Sequence, residues 1–169
     1  YDTIIKNETI KTYIIKADES LAALGYTEHS FAHVVHVAEM AGYILETLGY
    51  SPREVELCKI ASYMHDIGNI VNRVDHSQSG AVMAFRILDK MGMDPEEIST
   101  IITAIGNHDE HTAEPVNAVA AALIIADKSD VRRSRVRKTG DIKLDIHDRV
   151  NYAVEKTVVK INSDKTILK

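Results

Sequence analysis

The chain has no tryptophan, only two phenylalanines, three prolines and a single cysteine. With aromatics at 5% of residues, the core must be aliphatic, built from Ile, Val, Leu, Ala and Met. One cysteine, Cys58, excludes an internal disulfide; it falls on an apolar helical face and reads as a small core residue. No apolar run approaches the roughly 20 residues that span a bilayer, and the first residues do not form a signal peptide. A cytoplasmic location is therefore expected. There is also no excess of positive charge: the net value is −5 with histidines neutral, which speaks against a general nucleic-acid binder. The chain begins at Tyr1 rather than methionine, as a trimmed or excised chain would.

At 169 residues, with 45% hydrophobic and 27% charged residues, the composition fits one globular domain with a real core. What is abundant is histidine: eight residues, seven of them between positions 29 and 111. Residues 1–28 carry a weak pattern, in which Ile4-Ile5 and Tyr13-Ile14-Ile15 read as a short helix or strand before a turn at Gly25. The first firm helix is predicted over 30–48, where Val34, Val37, Ala38, Ala41, Ile44, Leu45 and Leu48 recur at the helical period and Gly49 stops it. Ser51-Pro52-Arg53-Glu54 has the form of a capping box and opens a second helix through Leu57, Cys58, Ile60, Ala61 and Met64 to His65-Asp66, ending around Gly68. A loop over 67–75 precedes a third helix, 77–91, with Ala81, Phe85, Leu88 and Met91 on one face. Asp94-Pro95-Glu96-Glu97 opens a fourth, carrying Ile98, Ile101, Ile102 and Ile105 and ending near Asn107-His108. A loop through Glu114-Pro115 leads to a fifth, whose face is Val116, Val119, Ala120, Leu123 and Asp127. Residues 150–168 are rich in Val, Ile and Thr around a turn at Asn162-Ser163-Asp164, which reads as a terminal β-hairpin. The expected architecture is an all-α bundle, one domain over 1–169, with a core of about 28–138 and an appendage over 139–169.

His65-Asp66 is the most telling feature. An imidazole and a carboxylate at the end of an apolar helix each cost free energy if buried without a partner, and a metal cation is one common compensation. Asp127 lies four residues after Leu123 and seven after Ala120, so it points where the core face points. His108 stands in the same relation to Ile101 and Ile105, and His65 to Leu57 and Ala61. His33 lies beside the stripe of its helix, four residues before Val37. Taken singly, each is accommodated by a backbone carbonyl or a helix cap. Together they come from several helices of an otherwise apolar bundle, and facing helices build metal sites in bundle cores. Nitrogen and carboxylate ligands without thiolate suit Mn, Fe, Co, Ni or Zn better than an iron–sulfur cluster or a magnesium cage, and a structural zinc knot lacks its cysteines.

In this order, His33, His65-Asp66 and Asp127, the chain resembles the HD-domain superfamily of metal-dependent phosphohydrolases over about residues 28–135. The dipeptide followed by Ile67-Gly68, the upstream histidine on a helix, and Ala126-Asp127 after an apolar helix carry the resemblance. It is nearest the bacterial dinucleoside-tetraphosphate hydrolase branch and, more distantly, resembles the HD-GYP phosphodiesterases. The resemblance implies that His33, His65, Asp66 and Asp127 bind a metal ion. His76, in His76-Ser77-Gln78-Ser79-Gly80-Ala81, and His108, in Asn107-His108-Asp109, look like the extra ligands of members that hold a second metal, bridged by the HD aspartate and a hydroxide. Asp66 would then be the bridging, catalytic carboxylate. The implied cofactors are two divalent ions drawn from Fe, Mn, Co, Ni and Zn, and the implied reaction is hydrolysis of a phosphoester or phosphoanhydride in a nucleotide or related small phosphorylated metabolite.

The sequence also departs from the family pattern. Asn69 stands where many dinuclear members carry a substrate-contacting lysine, His36 stands where relatives often have arginine, and the GYP signature is absent. Asp109 and His111, in the loop after His108, are placed for a general acid, though an ordinary solvated loop fits them equally. Lys128, Arg132, Arg133, Arg135, Arg137 and Lys138 put six basic residues within eleven positions. They form either a solvated helix end or a phosphate-binding rim, in which Arg73, Lys128, Arg132 and Arg133 would hold substrate. His29 and His36 share a helical stripe with His33 but match no family ligand, and His147 stands apart from the group. The expected partner is a small phosphorylated molecule rather than a membrane or nucleic acid, and a homodimer is left open. Two rival readings remain at this point: a non-catalytic nucleotide-binding or signalling module, and a di-iron oxygenase on the same scaffold.

Overall fold

The computed structural model describes residues 1–137 and 146–165. Among these residues the regular elements are all helices, with no β-strand beyond a single bridge at Ile161: α1 (Asp2–Ile5), α2 (Glu8–Ala23), α3 (Phe31–Leu48), α4 (Pro52–Met64), α5 (His76–Lys90), α6 (Pro95–Gly106), α7 (Ala118–Ser129) and α8 (Ile146–Ala153), with 3₁₀ turns at Ile67–Ile70 and Arg133–Arg135. No helix among the described residues is long and apolar enough to cross a membrane.

The helix boundaries follow local chemistry. Ser30 caps α3 through the Ala32 amide, and Gly49 closes it in the left-handed conformation at φ 91°. Ser51 and Glu54 form a reciprocal capping box at the start of α4. Asp94 and Asn117 cap α6 and α7 with their side chains. The α3–α4 hairpin is the centre of the bundle; α7 packs on both of its helices, and α6 packs on α4, α5 and α7. The core is aliphatic as expected, with Val34, Val37, Ala41, Cys58, Ala61, Met64, Ile101, Ile105, Ala120 and Leu123 fully buried.

Three sequence expectations change. Residues 8–23 form the regular helix α2, whose buried positions Ile10, Ile14, Ala17 and Leu21 keep the helical period. On α5 the buried face is His76, Ser77, Gly80, Ala84 and Leu88, while Phe85 is 47% exposed and Met91 37% exposed. The small and polar side of that helix lies against the Ile67–Ile70 turn and α6, so Phe85 and Met91 are displaced outward while Leu88 keeps its expected place in the core. Over the described part of the expected terminal hairpin stand the end of α8, an extended stretch, a single β-bridge at Ile161 and, at the expected turn, the Lys165 amide on Asn162 O at 3.0 Å; no longer strand forms there. Residues 166–168 of that expectation, Lys138 of the basic run and the His147 side chain lie outside the described residues.

The α4–α5 connection is set by two glycines. A Cβ on Gly68 would sit 2.0 Å from the His76 carbonyl oxygen and 2.5 Å from the Gly80 amide nitrogen; one on Gly80 would sit 3.2 Å from the His65 carbonyl oxygen. The first residues of α5 therefore lie directly on the backbone that follows His65-Asp66. Gly68→Ala should lower stability by about 3 kcal/mol, the upper end of the cost of forcing extra atoms into a packed interior. Gly106→Ala, whose Cβ would meet Ala81 at an ordinary 3.8 Å, should stay within about 1 kcal/mol of the parent. Urea unfolding midpoints measure both, and equal midpoints for the two variants would contradict the close-approach account.

Candidate metal centre

Helix ends converge at one end of the bundle. His33 is in the first turn of α3, His65 caps the end of α4 with Asp66 next to it, His76 opens α5, His108 follows α6 and Asp127 lies in the last turn of α7. Each histidine ring is fixed by its Nδ1. His65 donates to the Ser62 carbonyl at 2.7 Å, His76 to Arg73 O at 3.0 Å and His108 to Ile105 O at 2.6 Å. All three acceptors are three residues upstream, so the local backbone sets the ring. His33 Nδ1 instead bonds the Asp130 carboxylate at 2.8 Å. A carbonyl oxygen can only accept, so Nδ1 carries the hydrogen and the neutral ring presents a bare lone pair at Nε2.

Those Nε2 atoms point at one another and at two carboxylates. Asp66 is divided between them: its Oδ2 lies 3.6 Å from His33 Nε2 and 3.2 Å from His65 Nε2, while its Oδ1 lies 3.5 Å from His76 Nε2 and 3.9 Å from His108 Nε2. Asp127 Oδ1 is 3.2 Å from His33 Nε2 and 3.7 Å from His65 Nε2. Two trios, His33, His65 and Asp127, and His65, Asp66 and His108, each hold their donor atoms within 4.8 Å of one another. The Nε2 atoms of His76 and His108 face each other at 3.2 Å.

The donor set fits divalent cations. His33 Nε2, His65 Nε2 and Asp66 Oδ2 are buried without a hydrogen-bond partner, an expensive condition unless a cation or proton is shared among them. Protons alone serve poorly. Burial opposes a charge on His65, yet Asp66 and Asp127 outweigh it and lift its pKa to about 10. Burial, reinforced by the charge of His65, pushes His108 down to about 3. Burial also lowers His76, against the pull of Asp66. It would raise Asp66 and Asp127 as well, but the facing histidines hold both carboxyls well below the usual range. The site thus keeps two ionised carboxylates beside the His76 and His108 rings that burial keeps neutral, the ligand state that metal binding requires, while His65 must release its proton when a cation binds.

A cavity of about 300 Å³ opens over the cluster, lined among others by Asp66, His76, His108 and Asp127. Of the other expected site residues, Arg73, Lys128 and Asp109 line it. Arg73 stacks over the Tyr26 ring at 5.6 Å, and Lys128 Nζ pairs with Asp127 Oδ2 at 2.8 Å. His111 is not brought there: its side chain is 82% exposed and lies near Glu110. Arg132 and Arg133 also lie outside the lining, the first on the Asp130 carboxylate at 2.8 Å and the second on the Tyr152 carbonyl at 2.8 Å. His29 lines the cavity with Nδ1 held by Thr27 O at 2.7 Å. His36 sits largely outside, its Nε2 3.8 Å from Asp130 Oδ1.

Two residues to which the sequence reading gave no role in the cluster act on it. Asn69 is buried, and its Nδ2 donates to Asp66 Oδ1 at 2.9 Å, so the position that carries lysine in many relatives here steadies the central carboxylate. Asp130 is buried and orients His33; its place three residues after Asp127, near the end of the same helix, was the available signal. Asp130→Ala should weaken zinc or manganese binding about 10- to 100-fold, the usual effect of removing a carboxylate behind a ligating histidine. A titration against a competing chelator, with helical CD as the control for folding, measures this. Unchanged affinity would show that Asp130 has no hold on the site.

Comparison with known proteins agrees with this geometry. The HD domain family model matches residues 30–150. The chain is 27% identical, over 99% of its length and 73% of the relative's, to the uncharacterized protein MJ1020 of Methanocaldococcus jannaschii. It is 32% identical over 64% of its length to ribonuclease Y of Desulforamulus reducens, a match that spans only 20% of that longer protein. Among solved structures, a predicted HD superfamily hydrolase from an uncultured Thermotogales bacterium superposes with a TM-score of 0.58 at 26% identity, covering 73% of this chain and 67% of the other. With the family model covering most of the chain, and the histidine and aspartate order that first suggested it gathered at one buried site, the protein belongs to the HD domain family.

Proposed function

We propose that the protein is a metal-dependent phosphohydrolase acting on a phosphoester or phosphoanhydride of a nucleotide or related small phosphorylated metabolite. The observation that carries this reading is the division of Asp66, one oxygen facing His33 and His65 and the other facing His76 and His108. A carboxylate so placed would serve two cations at once. His33, His65 and Asp127 would complete one position, and His76 and His108 the other. When bound, two divalent ions would lower the pKa of a water to give a nucleophile near neutral pH and would neutralise charge developing on the phosphoryl oxygens.

The chain's own residues would do the rest. Asn69 holds Asp66 Oδ1 and fixes how the carboxylate is shared. Arg73 and Lys128, on the cavity wall, offer charge-assisted hydrogen bonds to phosphate oxygens. Asp109, in the same lining, is the remaining candidate to deliver a proton to the leaving group. A cavity of about 300 Å³ suits a small phosphorylated molecule. The likeness to ribonuclease Y supports a second substrate class, a short RNA phosphodiester.

The test is a metal-reconstituted screen of a nucleotide panel, a generic phosphodiester and a short oligoribonucleotide, with and without manganese. Turnover that chelator abolishes and manganese restores is expected, and no turnover of any phosphate compound with fully loaded protein would overturn the reading. Asp66→Ala should lose both metals and all hydrolysis while the helical CD spectrum persists. Elemental analysis decides the point: an unchanged metal content in that variant would remove Asp66 from the bridging role.

A further inference from the structure

The arginines that follow Asp127 have different fates. Arg132 is bonded to the Asp130 carboxylate at 2.8 Å, Arg133 lies over the Tyr152 ring at 4.9 Å and near Glu155, and Arg137 is paired with Asp18. Arg135 alone lines the cavity. At 6% exposure it is the one buried lysine or arginine among the described residues.

Its guanidinium has one counter-ion, the Asp130 carboxylate, at ion-pair distance but not hydrogen-bonded to it. Nε donates to the Glu28 carbonyl at 3.0 Å and Nη1 to the Asp130 carbonyl at 2.7 Å. The nearest carboxylate oxygen, Asp130 Oδ2, is 3.8 Å away and is already engaged with His33 Nδ1. The other oxygen of that carboxylate is taken by Arg132. Of the five N–H donors of a guanidinium, two are spent on main-chain carbonyls. For Nη2 no hydrogen-bond acceptor is found among the described residues. Main-chain dipoles orient a buried cation without neutralising it, and Asp130, shared with His33 and Arg132, offsets its charge only in part. Glu28 also donates its amide to the Arg135 carbonyl at 2.9 Å, so side chain and backbone are clamped to the same loop and the remaining donors are held in a fixed direction.

We propose that the free edge of Arg135 is a preformed seat for a tetrahedral oxyanion, and that in the working protein it holds a non-bridging oxygen of the substrate's phosphoryl group. Assigning the anion as phosphoryl rests on the phosphohydrolase reading; the seat itself rests on the unspent donors. A guanidinium fork matches two oxygens of a phosphate, as an ammonium on a flexible stem does not. Arg73, stacked on Tyr26 beside His76, supplies a cation from another part of the same lining, so the phosphoryl group would be approached by fixed charge from two directions.

The experiment measures inorganic phosphate binding by calorimetry to zinc-loaded parent, Arg135→Lys and Arg135→Gln, with zinc content determined on the same samples. Both variants should bind phosphate at least tenfold more weakly at unchanged zinc content, and on any ester the parent hydrolyses KM should rise more than kcat falls. Phosphate affinity within twofold of the parent in both variants would overturn the seat. So would zinc lost together with phosphate, which would make Arg135 a strut for Asp130 and His33. A parent that binds no phosphate also overturns the seat, even if it hydrolyses esters. A parent that binds phosphate through Arg135 but turns over no phosphate compound leaves the seat standing and removes only the hydrolase reading. Should neither variant fold, the Arg135 guanidinium resonances of the zinc-loaded parent answer the same question: a shift on phosphate addition supports the proposal, and no shift overturns it.

Discussion

Asp66 sits with each oxygen turned to a different pair of imidazole nitrogens, at distances from 3.2 to 3.9 Å. None of those nitrogens carries a hydrogen when its ring is neutral, because every Nδ1 is spent on a carbonyl or on Asp130. Lone pairs therefore face lone pairs and negative charge inside a low-dielectric interior. The arrangement is stable only with positive charge between the groups. The rest of the bundle serves to hold that unfavourable geometry in place.

It does so with main-chain geometry more than with side-chain packing. Three of the four rings are tied to carbonyls three residues upstream, so the backbone of each helix end decides where the ring points. Gly68 and Gly80 let α5 approach the turn after Asp66 closely enough for His76 to reach Oδ1. Asn69 ties the same oxygen back to the turn. On the opposite side, Asp130 and the arginines after it tie α7 to the loop before α3. Most of the basic run that looked like a rim is a clasp, and only Lys128 and Arg135 of its described residues line the cavity.

The helices over 30–129 and the six cluster residues were legible because helical phase and cap chemistry are local signals. Asp127 falls in phase with Leu123 and Ala120, and the capping box at Ser51 marks the start of α4 unambiguously. Helix α2 was obscured because Tyr13-Ile14-Ile15 reads as a block, whereas only Ile14 of the three is buried and the true stripe runs Ile10, Ile14, Ala17, Leu21. Phe85 misled for the opposite reason: a large apolar residue was assigned to the core on a helix whose buried side is set by backbone proximity. The duties of Asp130, Asn69 and Arg135 were not legible. Two of them depend on partners such as His33 and Glu28, about a hundred positions away, and no spacing rule reaches that far.

That separation has a consequence for the order of events during synthesis. His33 and Asp130 are 97 positions apart, and Arg135 and Glu28 are 107 apart. Contacts that close long loops form after local ones, because their entropy cost must be met before they stabilise anything. The α3–α4 hairpin can assemble while the ribosome is still making α6, but at that stage the His33 ring has nothing to orient it and Asp127 does not exist. Any cation held by the full donor set would therefore be captured only after α7 has emerged and packed on α3 and α4. The free energy of binding it would then selectively stabilise bundles in which α7 has docked over those in which it has not.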